Sequence, residues 1–251
     1  MLHAISIDEL KMSFHNLLFK INILLLLSFF LYNYRIHENS RPSHSMPHAN
    51  TDRYEQQRQL AIRAAASVFA EKGFHGASTR NIAERMGIKQ GSLYYYFKSK
   101  EDALGAVCLF GIEDYVRRMD QISASDQPFE ARLMATVTSH LSSYREKNEA
   151  LKVHNDERLY LPEEKRAGLK QLGSHYRQSL ERIFEEGVRS RALRDSLDCH
   201  FAAQSVIGIC NAWGEIIVRD PEVDIFQVIQ KCTDLLLNGF RERRKTKRSD
   251  D

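Results

Sequence analysis

Cysteine is scarce in this sequence of 251 residues, and the cysteines that occur follow no ligand pattern. The four are Cys108, Cys199, Cys210 and Cys232. They form no CxxC pair and no Cys/His spacing of the kind that binds zinc. We therefore expect reduced thiols in a cytoplasmic protein and predict no metal site.

The sequence also lacks the motifs of common enzymes. It has no phosphate-binding loop, no GxSxG, no HExxH and no paired carboxylates in a constrained setting. We predict neither an enzyme nor a cofactor. Only 5 prolines occur and no stretch alternates with period two, which favours helices over strands. The net charge of +3 is too small to indicate a nucleic-acid partner by itself.

The first 45 residues differ in composition from the rest. Residues 21–31 read INILLLLSFFL, an apolar run that is short for a membrane span. Three interpretations are open: a secreted precursor, a membrane-anchored regulator using residues 17–34, and upstream sequence preceding a biological start at Met46. No small-residue cleavage site follows the run, which disfavours secretion. We expect residues 1–45 to be a non-native or unstructured extension, without stable membrane association.

From Asp52 onward, apolar residues recur at helical spacing, and caps divide the pattern into about nine helices. Gly73 is placed to end the first helix, Ser99 to cap the fourth, and Asp198 and Asp224 to cap the last two. The predicted helices cover about 53–72, 79–86, 90–97, 99–122, 128–147, 151–159, 162–191, 198–219 and 224–243.

Residues 79–96 meet the steric requirements of a helix-turn-helix. Ala83 stands where two backbones approach closely, and Gly87 stands where the turn needs a positive φ. The apolar inner positions are Ile82, Met86, Ile88, Leu93 and Tyr96. Residues 52–102 contain nine Lys or Arg against six Asp or Glu, a local surplus of three. Amides and hydroxyls on the second helix can read base edges, and nearby lysines can hold phosphates.

The string GFHGASTRNIAERMGIKQGSLYYYFKSKEDAL, residues 73–104, resembles the signature of TetR/AcrR transcriptional regulators. The similarity is dense from Arg53 to Leu104. The resemblance implies base reading by Arg80, Gln90, Gly91, Ser92 and Tyr95. It implies phosphate contacts by Thr79, Tyr94, Tyr96 and Lys100. It also implies a homodimer on palindromic, double-stranded operator DNA, because one unit reads too few base pairs for specificity.

The expected fold class is therefore all-α with two domains. Residues 46–98 are expected to form an N-terminal three-helix helix-turn-helix DNA-binding domain. Residues 99–245 are expected to form a C-terminal helical dimerisation and ligand-binding domain, followed by a tail at 246–251. Small residues on helix eight suit close packing in a four-helix dimer bundle with helix nine. They are Ala202, Ala203, Ser205, Gly208, Cys210, Ala212 and Gly214, and helix nine adds Val228, Cys232, Leu235, Leu236 and Phe240.

Three further strings resemble the C-terminal domain of TetR regulators that sense acyl-CoA thioesters in fatty acid, sterol or branched-chain catabolism. They are HNDERLYLPEEKR at 154–166, HYRQSLERIFEEGVRSRALR at 175–194 and VIGICNAW at 206–213. Such a ligand needs an apolar tunnel and cations near its mouth. Candidate tunnel residues are Leu133, Val137, Leu141, Phe184, Ile209 and Trp213. Candidate cations are Arg145, Arg158 and Arg177, and polar groups expected nearby are His140, His154, Asn155 and His175. Core packing and solvated helix faces are the alternative interpretations of these residues.

Taken together, these patterns predict a cytoplasmic, ligand-responsive repressor that leaves its operator when a small-molecule effector binds, with an acyl-CoA thioester as the expected effector. Two rival interpretations are open. One is a TetR-type activator or multidrug-sensing regulator with the same DNA-binding mode. The other is a membrane-tethered interaction protein in which the helix-turn-helix is only a scaffold.

Overall fold

The computed structural model describes residues 49–240, and the predicted extension 1–45 and tail 246–251 lie outside them. The described residues from Arg53 onward belong to one compact unit. Residues 49–240 contain helices and no strand, which confirms the all-α prediction. The helices are α1 Ala49–Gly76, α2 Thr79–Met86, α3 Gln90–Leu93, α4 Lys100–Ser123, α5 Phe129–Glu146, α6 Asn148–Glu157, α7 Glu163–Arg189, α8 Cys199–Arg219 and α9 Ile225–Phe240. A 3-10 turn, Arg158–Tyr160, joins α6 to α7.

Three predicted N-caps are confirmed. The Ser99 hydroxyl accepts a hydrogen bond from the Asp102 amide at 3.1 Å, at the start of α4. Asp198 accepts from the Phe201 amide at 2.9 Å, and Asp224 accepts from the first amides of α9. Each cap supplies an acceptor to first-turn amides that have no partner inside the helix, so the start of each helix follows from local chemistry.

The bounds of α1, α3 and α6 differ from the sequence prediction by three or four residues. Helix α1 covers Ala49–Gly76 rather than about 53–72, because helical residues continue beyond the break at Gly73. Helix α3 ends at Leu93 rather than near 97, because the next amides bond three residues back, from Tyr95 to Ser92 and from Tyr96 to Leu93. Helix α6 begins at Asn148, three residues before the predicted start. Only Lys147, with φ of −135°, separates it from α5, and no proline or glycine marks this break in the sequence.

Two large hydrophobic cores hold the helices together, and α4 contributes to both. The first core lies under the helix-turn-helix and includes Phe69, Ile82, Leu93, Phe97 and Leu104. The second lies among the C-terminal helices and includes Met119, Leu133, Leu141, Leu180 and Phe184. Each of these ten side chains is at most 2 % exposed. Helix α4 begins just after the predicted domain boundary at residues 98–99, and because it packs into both cores it ties the two halves together.

Most of the small residues predicted for a dimer interface pack inside the protomer instead. Ala202, Ala203, Cys210 and Gly214 of α8 are buried, as are Val228, Cys232, Leu236 and Phe240 of α9. Gly214 lies so close to the Tyr144 ring that an added Cβ would overlap it. The outward face of α8 carries the other three predicted small residues in a stripe, which we call the α8 stripe. It consists of Phe201, Ser205, Gly208, Ala212 and Ile216.

Of the helices that the structure describes, α8 is long and apolar enough to cross a membrane by length and composition, with a mean hydropathy of 1.3. This is weak evidence for a membrane span, because core helices of other proteins pass the same test. The apolar run predicted at residues 17–34 lies outside the described residues.

Candidate DNA interface and ligand cavity

Helices α2 and α3 adopt the predicted helix-turn-helix. The Ser78 hydroxyl accepts from the Asn81 amide while the Asn81 side chain accepts from the Ser78 amide, so α2 starts with a capping box. Gly87 ends α2 with φ of 71°, a value that favours glycine. Ile82 and Ala83 are 0 % and 1 % exposed, which confirms that they form the inner face.

The outer face of this motif presents polar side chains to solvent. The side chains predicted to read bases are exposed, and Tyr95 at 80 % and Tyr94 at 52 % are among the most exposed large residues. No atom lies within 4 Å of a Cβ built on Gly91, so another backbone or a base can approach there. The Gln90 amide donates to the Thr79 hydroxyl at 3.1 Å, and Arg80 pairs with Glu84 at 2.9 Å. The outer face is thus free for a ligand, and its DNA contacts stay a prediction.

The side chains of Tyr96 and Lys100, which are predicted to contact phosphates, already make contacts within the protein. The Tyr96 ring is half-buried and stacks on Tyr54 with ring centroids 5.9 Å apart. The Lys100 ammonium donates to the carbonyls of Phe74 at 2.9 Å and Ala77 at 3.1 Å, and lies 4.3 Å from the centre of the Phe74 ring. Lys100 therefore neutralises carbonyls at the end of α1 in the free protein. Its predicted phosphate contact would have to share the ammonium with them.

The C-terminal helices enclose a cavity of about 670 Å³. Five residues singled out in the sequence line it: His140, His154, Asn155, Arg158 and Arg177. Helices α4 to α8 and the 3-10 turn all contribute to its wall. The other lining residues are Tyr115, Tyr144, Leu151, Leu159, Glu163, Arg166, Leu169, Lys170, Gly173, Ser174, Tyr176, Gln204, Ile207 and Asn211.

Positive charge dominates one wall of this cavity. Its cations are Arg158, Arg166, Lys170 and Arg177, against Glu163 as the single carboxylate in the lining, a surplus of three. The last three cations are separated by four and seven residues, close to one and two helical turns, so they share one face of α7. Arg166 pairs with Glu163, but Lys170 and Arg177 have no ion-pair partner among the described residues. This wall is suited to an anionic ligand.

The opposite wall is an aromatic cluster organised around His140. Its Nε2 lies 3.0 Å from the Asn211 Oδ1, and its Nδ1 lies 3.0 Å from the Tyr176 hydroxyl. The ring stacks on Tyr115, with centroids 5.1 Å apart, and on Tyr144. Burial lowers the pKa of His140 to about 4 against the opposing hydrogen bond to Asn211. The imidazole is therefore neutral at physiological pH, with the Nε2 proton donated to Asn211.

Three of the predicted ligand residues lie outside the cavity lining. Leu141 is 0 % exposed in the second core, and Trp213 is 37 % exposed on the surface of α8. Arg145 donates to the carbonyls of Pro221 and Val223, in the loop before α9. The remaining tunnel candidates, Leu133, Val137, Phe184 and Ile209, pack in or against the second core, and His175 contacts Asp120 outside the cavity at 2.6 Å. The apolar tunnel expected from the sequence is solid core.

The sequence prediction missed the aromatic wall and two of the cations. The α7 spacing of Arg166, Lys170 and Arg177 was visible as a periodic basic stripe. Tyr115, Tyr144, Tyr176 and Asn211 come from four different helices, and no local pattern links them. Only the packing of α4, α5, α7 and α8 brings them together.

The end of the cavity nearest the helix-turn-helix contacts α1 directly. Gly73 interrupts α1 with φ of 68°, and the next amide, on Phe74, donates to the Glu157 carboxylate at 3.2 Å. The Tyr160 ring stacks on Phe74, with centroids 5.6 Å apart. Between these two contacts, Arg158 donates to the carbonyls of His154 and Asn155 in the cavity wall. One short segment therefore contacts both the cavity and the DNA-binding helices.

These features define the class of helix-turn-helix regulators that combine a DNA-reading motif with a ligand cavity in one chain. Residues 61–107 match the family model described as bacterial regulatory proteins, tetR family. Residues 126–240 match the model of the tetracyclin repressor-like C-terminal domain. Together the two matches span well over half of the chain. The protein belongs to the TetR family.

Similar proteins include regulators of lipid metabolism. The fatty acid metabolism regulator protein of Bacillus subtilis (strain 168) is 25 % identical over 186 residues, which cover 72 % of this chain and 94 % of the relative. The transcriptional repressor KstR2 of Rhodococcus jostii (strain RHA1) is 29 % identical, over 70 % of this chain and 87 % of the relative. The structure of the regulator FadR from Bacillus subtilis in complex with stearoyl-CoA superposes with a TM-score of 0.62 at 24 % identity, covering 73 % of this chain and 99 % of that one.

The two neutral histidines of the cavity predict a loss of stability in mild acid. An unfolded histidine titrates near pH 6.5, whereas burial lowers the folded pKa of both His140 and His154 to about 4. The unfolded chain therefore binds more protons across this interval. This contribution to stability is full above about pH 6.5 and is lost as the pH falls towards 4. Urea unfolding should show a free energy of unfolding that declines steadily from pH 7 to pH 4.5.

His140→Asn separates this effect from general acid sensitivity. The variant loses the hydrogen bond to Tyr176 and should be less stable at pH 7, but its stability should depend less steeply on pH. A variant with the same pH slope as the wild type would contradict the assignment of the effect to His140.

Proposed function

We propose that the protein is a ligand-responsive transcriptional repressor that binds palindromic operator DNA as a homodimer and is released by a small-molecule effector, an acyl-CoA thioester. The observation on which this rests is a cavity with a cationic wall, connected through residues 157–160 to an exposed helix-turn-helix. On this proposal, residues 46–98 form the DNA-binding domain, and residues 99–245 bind effector and form the dimer. The protein acts in the cytoplasm, where its DNA lies, and is not an enzyme.

DNA reading is assigned to the exposed face of α2 and α3. Arg80, Gln90, Gly91, Ser92 and Tyr95 would contact bases, with Thr79, Tyr94, Tyr96 and Lys100 on phosphates. Support comes from the exposure of Tyr95 and from the open space over Gly91. A helix that enters the major groove needs polar groups on its outer face and room for close backbone approach.

Tyr95→Phe should weaken specific binding while leaving the fold intact. The Tyr95 side chain is 80 % exposed, so only a contact outside the protomer can make its hydroxyl matter. We expect operator affinity to fall about threefold to tenfold per half-site, the effect of one hydrogen bond. Fluorescence anisotropy on a duplex selected from a random library by the wild-type protein measures this loss. Affinity for a scrambled duplex is the control, and it should not change. Equal loss on both duplexes would argue against base reading.

Dimerisation is assigned to the α8 stripe. The stripe repeats at intervals of three or four residues, and its glycine and alanine allow a partner helix to approach closely. Exposed apolar side chains lie at its ends, with Phe201 at 70 % and Ile216 at 42 % exposure. A large apolar area on a protein surface is typical of an interface. Pairing of two such stripes would place two DNA-binding units on one duplex.

Ala212→Arg should convert the dimer to monomers and reduce operator affinity. Ala212 is exposed between Gly208 and Ile216 of the stripe, where a long charged side chain would hold two helices apart. Sedimentation velocity measures the oligomeric state. Ala167→Arg, the same change at an exposed position of α7, is the matched control and should remain dimeric. A dimeric Ala212→Arg protein would exclude this interface.

Effector binding is assigned to the cavity. Lys170 and Arg177 lack protein partners, so an anionic group can occupy the space beside them without displacing an ion pair. The phosphates of CoA provide such groups. The related FadR from Bacillus subtilis has been solved in complex with stearoyl-CoA, which supports the same ligand class here. A sensor of cationic drugs is disfavoured, because the cavity carries a surplus of three positive charges.

Release of DNA is assigned to the segment 157–160. A ligand that draws Arg158 away from the carbonyls of His154 and Asn155 would disturb the contacts of Glu157 and Tyr160 with Phe74. Binding then alters the contacts that join α1 to the C-terminal helices. A coupling free energy of about 1–3 kcal/mol between the two sites is enough to change operator occupancy strongly.

Arg177→Met should weaken the response to effector without weakening DNA binding. Loss of one charged partner of a phosphate should raise the butyryl-CoA concentration that releases half of the operator about tenfold or more. Anisotropy of labelled operator measures this concentration. Arg189→Met, on the same helix with a 71 % exposed side chain, is the control and should respond like the wild type. If Arg177→Met also responds like the wild type, the cavity is not the CoA site.

A further inference from the structure

The packing of the C-terminal core limits what kind of acyl group the cavity can take. Leu133, Val137, Leu141 and Phe184 are each 0 % exposed and leave no channel between α5 and α7. Apolar side chains in the cavity lining are few: Leu151, Leu159, Leu169 and Ile207. A long saturated chain would have to open a close-packed core, at the cost of the contacts inside it. The space that exists is suited to a compact group.

The aromatic wall of the cavity has hydrogen-bonding capacity that the protein does not use. The Tyr115 ring stacks on His140 and meets Tyr176 edge-on, with centroids 5.2 Å apart, so the ring is held in place. Its hydroxyl makes no hydrogen bond with the described residues, and burial raises the Tyr115 pKa, which keeps the hydroxyl protonated. The hydroxyl is therefore an available donor in the cavity wall.

Asn211 supplies a second available donor in the cavity lining, in addition to the Tyr115 hydroxyl. Its side-chain oxygen accepts from His140 at 3.0 Å and from the Tyr144 hydroxyl at 3.2 Å. Asn155 in turn donates to the Tyr144 hydroxyl at 3.4 Å, so the orientation of the Asn211 amide is set by a chain of hydrogen bonds. The Asn211 side-chain oxygen thus accepts two hydrogen bonds, whereas the Asn211 amide nitrogen has no hydrogen-bond partner among the described residues. Both of its protons can be donated to a ligand.

We propose that Tyr115 and Asn211 select an effector whose acyl part is compact and carries an oxygen atom beyond the thioester carbonyl. A keto oxygen is the simplest group that can accept a hydrogen bond from donors of this kind. The proposal rests on the proposed acyl-CoA function and deepens it by naming the class of acyl group. A saturated chain in the same place would cover the two donors without satisfying them, and buried polar groups without partners discriminate strongly against such ligands.

Two four-carbon thioesters that differ by one oxygen test this proposal. Acetoacetyl-CoA carries a keto oxygen where butyryl-CoA carries a methylene group. Operator release by the wild-type protein should need about threefold to tenfold less acetoacetyl-CoA than butyryl-CoA. Stearoyl-CoA should be weaker than butyryl-CoA, because its chain does not fit the cavity. Isothermal titration calorimetry of the same three thioesters should give the same order of affinities.

Tyr115→Phe should remove the preference without removing the response. Its half-release concentrations for acetoacetyl-CoA and butyryl-CoA should agree within about twofold, while its operator affinity and melting temperature match the wild type, because the hydroxyl has no protein partner. Thr138→Val is the control for loss of a hydroxyl group. Thr138 lies on α5 outside the cavity lining, and this variant should keep the preference.

The outcomes separate this proposal from the proposed function. Two results would contradict the proposed selection by Tyr115 and Asn211 while the acyl-CoA function stands. One is operator release in which stearoyl-CoA is as potent as acetoacetyl-CoA. The other is a Tyr115→Phe variant that keeps the full preference for acetoacetyl-CoA. If neither free CoA nor any of the three thioesters binds, the acyl-CoA function itself is wrong and the selection fails with it.

Discussion

The double packing of helix α4 is the constraint on which the rest of the structure depends. Its first half, with Leu104 and Val107, completes the core beneath the helix-turn-helix, and its second half, with Val116 and Met119, completes the core of the C-terminal helices. Close-packed cores resist continuous deformation and change between discrete arrangements instead. Helices α1 to α3 therefore cannot shift relative to α4 without disturbing a core. A change in the C-terminal helices that moves α4 also moves α1 to α3.

The short segment after α6 adds a polar connection to this packing. Glu157 binds the amide that the break at Gly73 leaves available, and the Tyr160 ring covers Phe74. Lys165, at the start of α7, bonds to Asp102 at 2.8 Å at the start of α4. On the proposed function, effector binding and DNA release are linked by one coupling free energy, because two ligands that act on one coupled unit change each other's affinity by the same factor. The cationic cavity wall adjoins this segment, so the charge of a ligand would act where the two halves meet.

The cavity combines positive charge with neutral hydrogen-bonding groups. Burial is the main reason that the pKa of His154 falls to about 4, and the neighbouring Arg158 cation lowers it further. The imidazoles are therefore neutral, and the positive charge of the described lining lies on α7 and the 3-10 turn. On the proposed function, the cations would bind the anionic part of the effector, and the neutral groups would bind its uncharged polar part.

Local chemistry alone determined much of this protein. The sequence predicts the all-α class, the helix-turn-helix around Gly87 and the caps at Ser99, Asp198 and Asp224. Each of these features depends on residues within a few positions of each other. Ligand residues were predictable only in part, and Arg158 and Arg177 line the cavity whereas Leu141, Arg145 and Trp213 do not. Helical periodicity tells which residues share a face, but not which helix that face meets. The tertiary structure alone decided that the expected tunnel is solid core, that most of the small residues of α8 face inward, and that Tyr115, His140, Tyr176 and Asn211 form one wall. Those outcomes depend on how four helices distant in sequence pack against each other, and no single segment contains that information.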